Sequence, residues 1–364
     1  MTLKDIATLR LANQHIAANP FTTPQELVAA MGAMQAQDFA MTKWAVGARL
    51  PGLTAQAVEK AISEGEVLRT HVLRPTWHLV SPDDIYSMLA LTAPRIKSST
   101  QSRDRDLGLN EATFAKSYTL IEKALVGGNH LTREEIALIL NHAGIITDNY
   151  RIWHIMMHAE LEGLVCSGAV KNNKQTYALL AERAPNQQKF HKEEALAVLA
   201  ERYFTSHGPA TLHDFVWWSG LGVTDARKGL EMAKHALVSD TVANEVYWFP
   251  ASLIDMVIGA PSVYLLPAFD EFLISYRDRS ASINSVHNPK AISSNGVFRP
   301  VVVIDGQVTG LWKRSFKKEK VMVEVSFFQP HDKRSRELIE EAAHALGHFL
   351  ERKAEVKFND GFDF

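Results

Sequence analysis

A single cysteine among 364 residues, Cys166, leaves this chain no internal disulfide. Its fold must rest on a buried core, which fits a reducing cytoplasm. No stretch approaches the roughly 20 consecutive apolar residues that span a bilayer. Met1-Thr2-Leu3-Lys4-Asp5 does not open a signal peptide, so the sequence predicts a cytoplasmic protein with no membrane partner. Charge of one sign is missing too: 39 Lys and Arg stand against 41 Asp and Glu, for a net charge of −2. A nucleic-acid partner usually leaves a basic excess, so any such role must rest on local patches. A Walker loop, a GxGxxG turn and a Ser-centred nucleophile elbow are all absent. Nucleotide-driven and acyl-enzyme chemistry therefore lack their usual parts, and the expectation is no cofactor.

What is present suffices for two or more domains with real cores. Hydrophobic residues make up 46% and charged residues 22%, ordinary values for a globular protein. Three short patterns repeat: Phe21-Thr22-Thr23-Pro24-Gln25-Glu26-Leu27, His130-Leu131-Thr132-Arg133-Glu134-Glu135-Ile136, and Pro209-Ala210-Thr211-Leu212-His213-Asp214-Phe215. Each sets a Thr where a helix should begin and an acid three residues on, the capping-box spacing. Pro24 suits the first helical position.

Around each pattern the same order recurs. A helix precedes it (Asp5 to Ala18, Phe114 to Leu125, Lys192 to Ser206). Another follows it (Thr54 to Glu64, Tyr150 to Leu161, Thr224 to Leu237). Two β-like runs close each unit, around Arg74-Pro75, Lys171-Asn172-Asn173-Lys174 and Ala243-Asn244. Three helices and a hairpin are the order of a winged helix.

From about Pro261 the texture changes. Strands are expected at 262–267, 298–304, 307–313 and 320–327, with Asp305-Gly306 as a hairpin turn. A loop is expected from Arg277 to Gly296 and an amphipathic helix from Ser335 to Arg352. The fold class is thus α+β, mainly α. Winged-helix units are expected at 1–100, 101–185 and 186–258, and an α+β domain at 259–364.

The stretch that organises the chain is Met34-Gln35-Ala36-Gln37-Asp38-Phe39, read here as the close of the helix that starts near Thr23. Gln offers an acceptor and a donor but is no base at neutral pH. The pair could hold a water or present a dipole to a developing cation; equally, it could tie off the helix's last carbonyls.

In the first hairpin, Arg69, His71 and Leu73 share a strand face, as do Thr76 and His78 past Pro75. A wing bearing Arg69, His71 and Arg74 would suit phosphates. A polar face packed against the next unit explains the same pattern. Trp312-Lys313-Arg314-Ser315-Phe316-Lys317-Lys318 interleaves basic and aromatic residues at a hairpin tip, suited to a phosphate backbone or to a solvated turn. His154 and His158 share a helical face, but Ile155 stands where a zinc peptidase helix has its Glu, so no metal is expected. Asp270 and Glu271 are adjacent acids that would face opposite ways on a strand.

With these residues in hand, the sequence resembles the tandem winged-helix family of bacterial DNA glycosylases that unhook interstrand crosslinks and excise bulky N7-alkylated purines. The resemblance is sharpest at Gln35-Ala36-Gln37, similar to that family's Gln–aliphatic–Gln motif. It continues through Trp44 to Leu50 and through Leu68-Arg69-Thr70-His71 to Arg74-Pro75-Thr76-Trp77-His78. The resemblance implies Gln35 and Gln37 as the catalytic pair and Arg69, Thr76 and His78 as lining the cleft beside them. It also implies double-stranded, damaged DNA as the partner of a nucleoid-associated monomer. Candidate DNA-binding residues are then Arg69, His71, Arg74, Thr76, His78, Lys313, Arg314, Lys317 and Lys318. A non-catalytic winged-helix regulator is the alternative. Its recognition helices should be basic, yet 150–161 and 224–237 carry few Lys or Arg.

Overall fold

The Thr-led capping boxes form as their spacing requires. Thr23, Thr132 and Thr211 each accept from the backbone three residues on, and Glu26, Glu135 and Asp214 reach back to the capping residue's N–H. The computed structural model describes residues 1–187, 190–254, 256 and 262–359. The boundary expected between 258 and 259 lies outside the described residues.

Three stretches share one element order. The first runs through helix Pro24–Met31, strand Ala33–Gln35, helices Phe39–Gly47 and Ala55–Glu64, and strands Leu68–His71 and Trp77–Val80. The second has helix Glu111–Leu125, strand Leu131–Thr132, helices Arg133–His142 and Arg151–Leu161, and strands Val165–Ser167 and Thr176–Leu179. In both, the short first strand pairs antiparallel with the last, so the third strand lies in the middle. The third has helices Lys192–His207, Leu212–Ser219 and Val223–Ala233 and strands Leu237–Val242 and Glu245–Pro250. Its first strand is reduced to a bridge between Ala210 and Trp248.

Two differences from the sequence reading matter. The helix from Thr23 stops at Met31, where Gly32 turns left-handed at φ 74°, and the chain continues as a strand. The Gln motif thus lies on a strand and the turn after it, not on a helix end. The repeat is also displaced in the first unit. Thr132 and Thr211 cap the helix after the first strand, whereas Thr23 caps the helix before it and Asp38 takes the later position. A capping box marks a helix start, not its place in a unit.

The helix expected from Asp5 to Ala18 spans Leu3–Asn13 and docks on the third stretch. There Arg10 Nε donates to the Pro209 carbonyl at 3.0 Å and Asn13 Nδ2 to that of Gly208 at 2.9 Å.

The C-terminal part is a five-stranded sheet in the order Lys353–Asn359, Lys320–Phe327, Gln307–Lys317, Val301–Ile304, Val263–Leu266. Only its first two strands run parallel, and helix Lys333–Phe349 supplies the crossover that a parallel pair needs. The Asp305-Gly306 turn has both residues at positive φ, 47° and 80°, as a two-residue hairpin requires. The expected loop from Arg277 to Gly296 contains one short helix, Asn288–Ala291.

The first stretch is held from two sides. Leu27, Met34 and Trp44 share a core with Trp312, Val323, Ile339 and Leu346 of the C-terminal sheet and helix. Leu68, Val72 and Leu73 share another with Tyr203, Phe215 and Trp218. Trp44 Nε1 and Trp312 Nε1 donate to consecutive carbonyls, Leu265 at 2.7 Å and Leu266 at 2.8 Å. Buried Arg49 grips Asp270 with both terminal nitrogens, at 2.9 and 3.0 Å. Truncating either partner would leave a buried charge unpaired, at about 3–5 kcal/mol.

Candidate active site

The motif strand is pinned by backbone contacts on both sides. Ala36 N–H donates to the Trp77 carbonyl at 2.7 Å, and the Ala36 carbonyl accepts from Arg69 Nε at 2.9 Å. Gln35 N–H donates to Glu271. Glu271 is buried and also accepts from Trp218 Nε1 at 3.2 Å and from Ser275 Oγ, with His207 Nε2 3.4 Å away. Burial alone would raise its carboxyl, but His207, Ser275 and the Gln35 N–H outweigh that and hold it down at about 2. An ionised carboxylate thus anchors the strand from beneath.

Gln35 is 4% exposed. Its side-chain oxygen accepts from Arg74 Nη2 at 2.9 Å and lies 3.4 Å from Thr76 Oγ1. A guanidinium only donates, so the oxygen must face it; the amide nitrogen makes no hydrogen bond among the described residues. Gln37 is exposed. Gln35 pairs in register with His78, which explains why Thr76, two residues from His78, reaches the same amide. His78 is fully buried, its Nδ1 3.0 Å from the Thr76 carbonyl and its Nε2 without a partner. Burial first, then the charge of Arg74, pushes its pKa down to about 3.

The other predicted residues divide. Arg69 and His71 are buried. Arg69 covers the Trp77 ring at 4.3 Å and donates to Gln175 of the second stretch, while His71 meets Glu160. Packing against the next unit therefore describes these two, and both side chains are turned away from solvent. Arg74 is half-buried beside Trp217, whose ring centroid lies 5.8 Å from the guanidinium carbon. Arg314 is half-buried and feels the Asp38 carboxylate, which opposes the lowering that burial imposes on it. Lys313, Lys317 and Lys318 are exposed on the hairpin, Lys313 within 3.6 Å of Glu324. His154 and His158 both turn to Asp104, at 2.7 and 2.9 Å.

Glu271 and Asp270 do not lie on a strand. Asp270 caps the short helix Glu271–Ile274, and the two acids serve separate partners, Arg49 and Gln35. Sequence reasoning found the acids but not their roles. No local signal carries a contact to Gln35 across 236 positions.

The profile of the family described as DNA glycosylase AlkZ-like matches residues 28–349. The interstrand DNA cross-link repair glycosylase of Streptomyces sahachiroi is 22% identical over 324 residues, covering 85% of this chain and 87% of that protein. The solved structure of Streptomyces sahachiroi DNA glycosylase AlkZ superposes with a TM-score of 0.81 at 20% identity, covering 99% of this chain and all of that one. That likeness carries the fold, and the profile spans most of the chain together with the site just described. The chain belongs to the AlkZ-like family of DNA glycosylases.

Proposed function

We propose that this DNA glycosylase is monofunctional and acts in double-stranded DNA on N7-alkylated purines or crosslinked guanines, with Gln35 and Gln37 as its catalytic pair. An N7-alkylguanine is cationic. Its C1′–N9 bond breaks with the electron pair passing to the base, which leaves neutral, and the sugar becomes an oxocarbenium that water captures. The water's proton goes to solvent. Such a reaction needs no strong acid. It needs an oriented water and preorganised dipoles where positive charge develops.

The observation that carries this reading is the pairing of a buried, immobilised Gln35 with an exposed Gln37 two residues on. The strand ends at Gln35 and the chain bends at Gln37, and we read the buried amide as the floor and the exposed one as the rim of one site.

We also read the three α–β–α–α–β–β stretches as tandem winged helices, at 1–100, 101–185 and 186–258, followed by an α+β domain at 259–364. Lys313, Arg314, Lys317 and Lys318 are then the candidates for the phosphate backbone. Arg69 and His71 brace the motif strand from within. The test is whether purified protein releases 7-methylguanine from alkylated duplex DNA; intact binding without release would favour the regulator instead.

A further inference from the structure

Gln35 is fixed by its oxygen, and the group that fixes it is itself held rigidly. Arg74 N–H bonds to the Val72 carbonyl at 2.7 Å across a three-residue turn that puts Leu73 in the left-handed region, φ 63°. A second tight turn follows around Pro75, closed by Thr76 N–H on the Arg74 carbonyl at 2.7 Å. Left-handed backbone at a bulky residue is strained and persists only where its surroundings hold it. Gly220 gives the turn its room: a Cβ at that position would lie 2.0 Å from the Leu73 oxygen.

Beyond the turn, the guanidinium is set beside Trp217, whose Nε1 donates to the Ile274 carbonyl at 2.8 Å and which Arg279 also approaches, at 5.4 Å. The Glu271 carboxylate acts on Arg74 by its charge. Among the described residues Arg74 has no ion-pair contact within 4.0 Å, and its buried Nε has no partner. Its one side-chain hydrogen bond there is to Gln35.

We infer that Arg74 is a positioning residue that locks the Gln35 carboxamide with its oxygen inward and its NH₂ toward the substrate. A free carboxamide has two flipped orientations of similar shape, and an arginine on one end removes the ambiguity before the substrate arrives. The two glutamines then divide the work. Gln35 donates to an acceptor of the leaving purine, where electron density collects as the C1′–N9 bond breaks. Gln37, with its carbonyl unengaged, accepts from the attacking water and faces the oxocarbenium. This rests on the glycosylase reading of the pair.

The experiment compares Gln35→Ala, Gln35→Glu, Arg74→Met, Arg74→Gln, Arg74→Lys and the Gln35→Ala/Arg74→Met double variant. Single-turnover release of 7-methylguanine is measured beside duplex affinity at several salt concentrations. Arg74→Met should slow excision about 10- to 100-fold with affinity and salt slope nearly unchanged. The double variant should be no slower than Gln35→Ala, because the two residues act as a unit. Gln35→Glu keeps the contact to Arg74 but loses the donor, and should be as slow as Gln35→Ala.

Wild-type excision by Arg74→Met, with Gln35→Ala slow, overturns the positioning role while leaving the glycosylase reading intact. So does an Arg74→Met defect that appears as weaker binding with the salt slope reduced by about one, the mark of a phosphate contact. Wild-type excision by Gln35→Glu overturns the donor assignment. Wild-type excision by Gln35→Ala removes the pair itself. Should Arg74→Met fail to fold, Arg74→Gln decides: its amide can turn either end to Gln35 and so lifts the lock. A full wild-type rate and affinity for it overturns the inference, whereas Arg74→Lys, still a donor only, should excise faster than Arg74→Gln.

Discussion

Glu271 accepts a hydrogen bond from the Gln35 backbone N–H across 236 positions of sequence. The same carboxylate receives Trp218 and Ser275 and lies beside His207. It ties the motif strand to the third helical stretch and to the start of the C-terminal part. Glu271→Ala should strand several buried donors and cost about 3 kcal/mol or more. Urea denaturation checks this; a loss under about 1 kcal/mol would remove Glu271 as an anchor.

Gly220 offers a test of the Arg74 turn that touches neither glutamine. Its φ is 68°, and any side chain would collide with the Leu73 oxygen. Gly220→Ala should destabilise the fold by more than the ~1 kcal/mol of an ordinary left-handed Gly→Ala change, and excision by the folded fraction should fall. An unchanged melting temperature and rate would mean that the contact constrains nothing.

Acid should weaken the fold in two windows. His78 is buried with its pKa lowered to about 3 from 6.5, so the native state resists a proton that the unfolded chain accepts. Its contribution is complete above pH 6.5 and is lost as pH falls toward 3, at about 1.4 kcal/mol per pH unit. Glu271, held at about 2 from 4.5, adds a second loss that begins below pH 4.5. The denaturant midpoint of wild type should fall relative to that of His78→Leu as pH drops from 7 to 4.5. Parallel curves would show that His78 does not titrate in this range.

DNA affinity should come from few cations, because the chain carries a net charge of only −2. Lys317 and Lys318 are exposed at the end of strand Gln307–Lys317. Changing both to Gln should weaken binding to any sequence and flatten the salt dependence by up to about two units. An unchanged slope would take the hairpin tip out of the DNA footprint.

Much of this architecture was legible in the sequence because it is written locally. Capping boxes at Thr23, Thr132 and Thr211 formed, and the Lys171–Lys174 and Ala243-Asn244 turns adopt paired left-handed residues. The motif's setting was not local. Ala33, Met34, Gln35 and Ala36 include good helix formers, and an apolar run from Thr23 suggested one continuous helix. Pairing with Trp77–Val80 overrode that preference. Gly32 was the available signal, a residue suited to end a helix in the left-handed region. The packing of Arg69 and His71 had the same limit: their strand alternation was readable, but not the Glu160 and Gln175 of the second stretch that meet them.

The central claim is that Gln35 and Gln37 stabilise the transition state of base release, and single-turnover excision measures this most directly. Purified, folded Gln35→Ala and Gln37→Ala proteins should bind alkylated duplex DNA nearly as wild type does. They should release 7-methylguanine about 100-fold more slowly or worse, the loss expected when one preorganised dipole is removed. Wild-type release by both, with at most about 1 kcal/mol of lost stability, would contradict the account and reduce the motif to a structural tie.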